Sequence, residues 1–230
     1  MPSLQNLELE FDLDAVLRGQ GADPAVLRQR RPALVQLAEQ AMQEGWPLLE
    51  PGVVVREFNV QDVRHERLIL EGGGELAGKL IVQHLGGARK IFLLLCTIGG
   101  SLEQYASEMW SESASYSLAL DGVGSAAVEA LANAACRLLE TNEQAHGWQT
   151  SIPLSPGMVD WTLAEGQPQI FKLLDGEPLP VELTPSLIMV PRKSLTMVVG
   201  AGPDIIAEGH SCDYCSLKDV CRYQDHYASS

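Results

Sequence analysis

Six consecutive apolar residues, Ile91-Phe92-Leu93-Leu94-Leu95-Cys96, constrain this chain more than any other feature. The run is far shorter than the roughly twenty residues that span a bilayer. It lacks the polar alternation of a strand with one wet face, so it predicts a central strand buried on both faces. It ends at Thr97-Ile98-Gly99-Gly100, where Ser101 is placed to cap a helix running from Leu102 toward Ser117. With 230 residues the chain can close a core without staples, as one large domain or two intimately packed small ones.

The flanking sequence supplies mixed elements without regular βαβ alternation. Leu7 to Leu13 alternates apolar and acidic residues and predicts a strand. Asp23-Pro24 reads as a helix cap followed by proline at the first helical position. Pro32 restarts the helix, whose stripe is Leu34, Leu37, Ala38, Ala41 and Met42, and Gly45-Trp46-Pro47 ends it. Val53-Val54-Val55 and Leu68-Ile69-Leu70 read as strands separated by a charged loop. Gly72-Gly73-Gly74 marks a tight turn, and no Lys-Ser/Thr follows to make it a P-loop.

Gly122-Val123-Gly124-Ser125-Ala126-Ala127 matches a dinucleotide fingerprint only formally. Tyr116-Ser117-Leu118-Ala119-Leu120 is a poor strand to precede one. Gly124, Ala127, Ala130, Ala134 and Ala135 instead describe a close-packed helix ending near Glu143.

The net charge of −14 argues against nucleic acid, which demands a basic surface. The acidic N-terminal stretch has no basic-then-apolar leader pattern, which points to the cytoplasm and away from a membrane. Five cysteines, an odd number in that setting, point to metal or thiol chemistry instead of a disulfide framework. Composition shifts after Gly202-Pro203, giving a domain over 1–203 and a cysteine-rich tail over 204–230.

In that tail, Cys212-x-x-Cys215 followed by Cys221 suits a single metal ion or cluster. Zinc would take a fourth ligand from His210 or His226. An iron–sulfur cluster would draw a further thiolate from the main domain, Cys96 or Cys136, or leave one iron open. The spacing permits both metals. No G-x-S-x-G elbow gives hydrolase chemistry a foothold, and His65 and His84 form no triad with a nucleophile.

The last informative stretch is Ser155 to Gly200. A Ser155-Pro156-Gly157-Met158 turn leads into Gln167–Leu174, where Ile170, Phe171, Leu173 and Leu174 recur at helical spacing. The turn is expected at the mouth of that helix, where free N–H groups can meet an anion. Two strand-like runs, Leu187–Val190 and Leu195–Val199, then flank Pro191-Arg192-Lys193-Ser194. The series SPG-x-x-DW, Q-x-x-IF-x-LLD and LT-x-S-x-x-M-x-P-x-KS resembles the activation domain of cobalamin-dependent methionine synthase, and more closely its stand-alone relatives. The likeness is strong over 155–200 and looser over 90–140.

The resemblance implies an α+β fold, a curved and mainly antiparallel sheet flanked by helices with a short metal-binding tail. It implies Ser155, Pro156, Gly157, Met158, Lys193 and Ser194 as cofactor-binding residues. It also implies a tail of the kind associated with a 4Fe–4S cluster, on Cys212, Cys215 and Cys221; of the two main-domain thiols, Cys96 is the one expected to complete the set. In the family the turn belongs to an R-x-x-x-G-Y motif that holds S-adenosylmethionine. Here Pro153 replaces the arginine and Met158 the tyrosine. The lost charge-assisted contact, worth about 1.5–3 kcal/mol, argues against that cofactor.

The implied function is that of an accessory protein for a corrinoid-dependent methyltransferase, supplying low-potential electrons to reactivate cob(II)alamin. The chain has no D-x-H-x-x-G signature, so cobalamin would arrive on a partner protein. The alternatives are a zinc-stabilised docking module without catalysis and an S-adenosylmethionine-binding methyltransferase activation domain.

Overall fold

The computed structural model describes residues 7–178, 180–206, 209–216 and 218–219. Its elements run α1 (Leu13–Gly19), α2 (Pro24–Arg30), α3 (Pro32–Gly45), β1 (Gly52–Arg64), β2 (Arg67–Leu70), β3 (Glu75–Ala77) and α4 (Lys79–Leu85). They continue with β4 (Lys90–Thr97), α5 (Ser101–Met109), α6 (Ala114–Gln144), β5 (Gln149–Thr150), α7 (Leu163–Leu173), β6 (Glu182–Leu183), β7 (Met189–Val190) and β8 (Ser194–Gly202).

A six-stranded sheet is ordered β3-β2-β1-β4-β8-β5. Every pairing in it is antiparallel, as the α+β expectation required. β1 bends it: its first half pairs with β4, its second with β2, and a bulge lies between Val60 and Asp62.

The apolar run is the middle of this sheet. Phe92, Leu94 and Cys96 face one hydrophobic cluster, and Ile91, Leu93 and Leu95 face a second. The first is covered by α1, α3, α5 and α6. The second lies under α4, α7 and Trp161. Two layers therefore clamp β4, which explains why its sequence carries no polar alternation.

α6 crosses α1 at glycine on glycine. A Cβ at Gly122 would stand 2.6 Å from the Val16 carbonyl oxygen, so Gly122 serves helix packing, while Gly124 makes room for the methylenes of Lys193. Asp23 accepts hydrogen bonds from the Ala25 and Val26 amides, and Pro32 does restart a helix.

Several expectations fail for physical reasons. Residues 7–12 keep their alternating burial but form no strand, because they lie on helices: Leu9 and Phe11 border a cavity with Met42 and Ala126, and Phe11 stacks on Trp46. The charged segment after Val55 is no loop. It continues β1 to Arg64, with Phe58 and Val60 packed inward while the charges stay wet. The helix after Gly100 stops at Met109, so Ser117 belongs to α6, and the cap position is Gly100 with no side-chain bond. Leu187–Val190 yields only the short β7, paired with β6 away from the main sheet, and leaves Ile188 and Val190 exposed.

Candidate functional site

The segment after α6 runs antiparallel to β8: β5 pairs with Ala201 and Gly202, and Leu154 forms a bridge with Val198. At Ser155 the chain turns away. Among the described residues the β8 edge from Met197 toward Ser194 then has no strand partner on that side, and a cavity of about 390 Å³ opens there. α6 borders it with Glu129, Asn133 and Cys136, β8 with Leu195 and Met197, and the turn with Ser155 to Met158.

The turn is not at a helix mouth. Gly157 donates its amide to the Trp161 carbonyl and Trp161 donates to Met158, closing a small loop in which Gly157 has φ 102°. α7 begins only at Leu163. Thr162 and Glu165 form a capping box there that engages the amides of both residues, and the turn itself stands apart from this terminus.

The rest of the motif is structural. Ile170 is buried, and Thr196 Oγ1 donates to Gln167 Oε1 across 3.0 Å, tying α7 to β8. Gln169 bonds both polar groups of Ala77 and so acts as a strand partner for the edge of β3. Trp161, wholly buried, fills the space between Gly78 and Gly166.

The tail docks on this turn, an association that reading the two motifs separately had missed. Met158 and Cys215 form an antiparallel bridge, and Val159 donates its amide to the Tyr214 carbonyl at 2.8 Å. Ser216 Oγ donates to the Gly157 carbonyl (2.9 Å), and Ser211 Oγ to that of Pro153 (3.0 Å). Tyr214 packs edge-on against His84, centroids 4.4 Å apart. Cys212 and Cys215 consequently line the same cavity as Ser155 to Met158. The only sequence signal for this convergence was that both motifs are rich in small, turn-forming residues.

Cys221 lies outside the described residues, as do His226, Arg222 and Tyr223. Among the described residues no group of three His, Cys, Asp or Glu side chains is placed to hold a metal ion. The cavity nevertheless joins three thiols, from Cys136, Cys212 and Cys215, to the thioethers of Met158 and Met197. That lining is soft in character, of a kind that hard cations do not favour.

Cys96 is not among the lining residues. It sits on the helix-covered face of β4 with no exposed surface, an apolar filler of the core. Burial pushes its thiol up to about 12, and the charge of Cys136 adds to this; burial likewise pushes Cys136 up to about 12. Neither is a thiolate nucleophile at neutral pH.

Lys193 and Ser194 are also apart from the turn. Lys193 Nζ meets Asp121 and Ser125 on α6, both at 2.9 Å, and its methylenes pass over Gly124. Ser194 is buried, donating to Thr97 Oγ1 (2.8 Å) and the Pro191 carbonyl (2.7 Å). Both hold the 191–194 loop in place. Lys193 borders a separate cavity of about 370 Å³ with Glu103, Trp110 and Arg192.

No family model and no curated protein sequence matches this chain. Its fold is nevertheless that of a solved structure, the crystal structure of the MetH reactivation domain bound to AdoHcy. The two share 16% sequence identity with a TM-score of 0.62, over 96% of this chain and 83% of that one. Among the described residues no helix is long and apolar enough to cross a membrane.

Proposed function

We propose that this chain is an accessory protein for a corrinoid-dependent methyltransferase, serving to return oxidised cobalamin on a partner protein to its methyl-accepting state. The observation that carries this reading is the likeness to the MetH reactivation domain over nearly the whole chain. The docking of the cysteine tail on the turn that resembles the cofactor motif adds to it.

The tail thiols Cys212 and Cys215, with Cys221, hold an iron–sulfur centre beside the Ser155–Met158 turn. Such a centre, when bound, supplies one-electron transfer at low potential. The protein's own part is to bind and shield. Ser211, Ser216 and the Val159 amide pin the tail, while Met158, Met197 and Leu195 keep the cavity apolar. The corrinoid is a substrate carried by the partner. Its cob(II) form gains one electron, drawn from an external low-potential carrier, to become cob(I). The domain boundary near residue 203 separates scaffold from redox tail.

A second reading is favoured by the AdoHcy in the related crystal structure: the same cavity takes S-adenosylmethionine. Pro153 and Met158 at the motif positions weigh against it, because no guanidinium is offered to the ligand's carboxylate. Zinc on the same tail is the non-catalytic alternative.

Anaerobic purification with iron, sulfide and zinc analysis separates these readings, followed by reduction of cob(II)alamin on a corrinoid methyltransferase with and without this protein. The proposal expects a brown, oxygen-sensitive sample that accelerates the reduction. A colourless, metal-free chain whose tail cysteines all alkylate in the native state, and which leaves the reduction rate unchanged, would sink it. Calorimetry with S-adenosylmethionine tests the second reading, and a flat titration at millimolar ligand removes it.

A further inference from the structure

Residues Leu7 to Asp12 keep the side-chain alternation of a strand but have no strand beside them. Leu7, Leu9 and Phe11 are half-buried against the helical core, while Glu8, Glu10 and Asp12 are exposed. The backbone at Asp12 is extended, with φ −108° and ψ 176°. Among the described residues, no backbone N–H or C=O group from Leu7 to Phe11 has a hydrogen-bond partner. A row of peptide groups left open in this way is a template for a neighbouring strand.

A cavity of about 620 Å³ borders the same segment. Leu9 to Asp12 line it, as do Glu129 and Asn133 of α6. The rest of the lining is apolar: Ala15, Ala126 and Ala130 are buried and small, Met42 is flexible, and Trp46 stacks on Phe11. Three carboxylates, of Glu10, Asp12 and Glu129, line the cavity, and no lysine or arginine does.

We propose that Leu7–Phe11 is an open strand edge that takes up one strand of a partner protein, a segment in which basic and apolar residues alternate. An added strand lies about 4.8 Å from its neighbour, and the cavity gives it room there. Its apolar side chains enter the space lined by the alanines. Its basic side chains fall on the same face as Glu8, Glu10 and Asp12, where opposite charges across a strand pair stabilise the pairing. The net charge of −14 steers such a partner toward this surface. A second copy of this chain does not fit the edge, because it would set the same three carboxylates against each other. The inference is independent of the cysteine tail and of any cofactor.

The test uses the full chain and a fluorescently labelled peptide of about six residues that alternates lysine and valine. Two control peptides carry glutamate in place of lysine, or N-methyl groups on alternate amides. Binding is read by fluorescence anisotropy, and amide exchange is followed within Leu7–Phe11. The lysine peptide is expected to bind and to slow that exchange, and the glutamate peptide to leave both readings unchanged. N-methylation, which removes ladder donors, is expected to weaken binding about tenfold. Glu8→Lys combined with Glu10→Lys should also weaken it about tenfold, while Glu108→Lys combined with Glu112→Lys, at the end of α5 and beyond it, should not.

Equal binding of the N-methylated peptide, or unchanged exchange within Leu7–Phe11, overturns strand addition and leaves only attraction between charges. No binding of the lysine peptide at millimolar concentration overturns it too. So does a dimer of this chain in which those amides are protected without peptide, since a second copy would then fill the edge. These comparisons use the wild-type chain and decide the matter even where a charge-reversed variant does not fold.

Discussion

The two faces of the sheet are built on opposite plans. Against one face lie α1, α3, α5 and the 31-residue α6, packed through alanine and glycine so closely that backbone meets backbone. The other face is covered by short helices, loops and one large side chain, Trp161, and among the described residues most of the buried polar atoms without partners lie there: both ring nitrogens of His84, Trp161 Nε1 and Gln167 Nε2, against Gln20 Nε2 on the helical face. Regular helices satisfy their own backbone, so the helical face needs few polar partners where alanine and glycine bring it close. On the second face three of the four unpartnered atoms sit on side chains of the short helices α4 and α7, and the fourth is on Trp161. The cavity and the docked tail lie past the β8 edge, at the seam between the two plans. A site at that seam has rigid α6 on one side and an adjustable turn on the other.

The largest expected effect belongs to the irregular face. Trp161→Ala removes the largest fully buried side chain and is expected to destabilise the fold by about 4 kcal/mol, read as a shift in the urea midpoint. A cost under about 1 kcal/mol would show that this face collapses freely and is not held by its one anchor. The helical face is tested by a matched pair. Gly122→Ala drives a methyl group to 2.6 Å from a backbone oxygen, and is expected to cost about 2 kcal/mol despite the helix propensity of alanine. Gly124→Ala, whose methyl meets only the flexible methylenes of Lys193 at 3.0–3.3 Å, should be near neutral. Equal effects at both positions would break the contrast between backbone and side-chain contact.

The same contrast explains what the sequence made legible. Ile91–Cys96 announced β4, and Gly124 with its alanines announced a packed helix, because on that face local pattern and burial agree. On the other side the pattern misleads. Leu80-Ile81-Val82 is apolar and branched, yet helical, and the charges of β1 hid a strand whose outer surface is wet. Leu7 to Phe11 alternated correctly but had no sheet edge to join. At the site, Ser155–Met158 and the tail cysteines were each recognisable, while their contact depends on long-range hydrogen bonds that no local spacing encodes. A thiol within a long alanine-rich helix, such as Cys136 on α6, gives no sign of which wall it reaches.

A smaller effect concerns pH. Burial lowers the pKa of His84 from its ordinary value, so the folded protein binds fewer protons there than the unfolded chain. The neutral ring's contribution is therefore fully present above about pH 6.5 and is lost as the pH falls below that, toward the folded pKa. Urea midpoints measured at pH 7.5 and 5.5 should differ in that direction, and His84→Leu should remove this component. An unchanged pH dependence in the variant would mean that the ring finds solvent or a partner when charged, and that the irregular face is looser than its packing against Tyr214 indicates.

The smallest effect asks whether the tail belongs to either plan. Ser216→Ala deletes one hydrogen bond at an exposed position, worth roughly 0.5 kcal/mol, which is too little to unsettle the sheet. Its consequence should be local: faster cleavage within the tail under limited proteolysis, faster amide exchange at Val159, and an unchanged global midpoint. Ser211→Ala, whose bond to Pro153 is partly buried, should act in the same sense and somewhat more strongly. If the global midpoint falls together with tail protection, residues 204 onward fold in one cooperative unit with the sheet. If only the tail loosens, it is an appendage latched to the turn by a few polar contacts, and it can leave the turn without unfolding the scaffold.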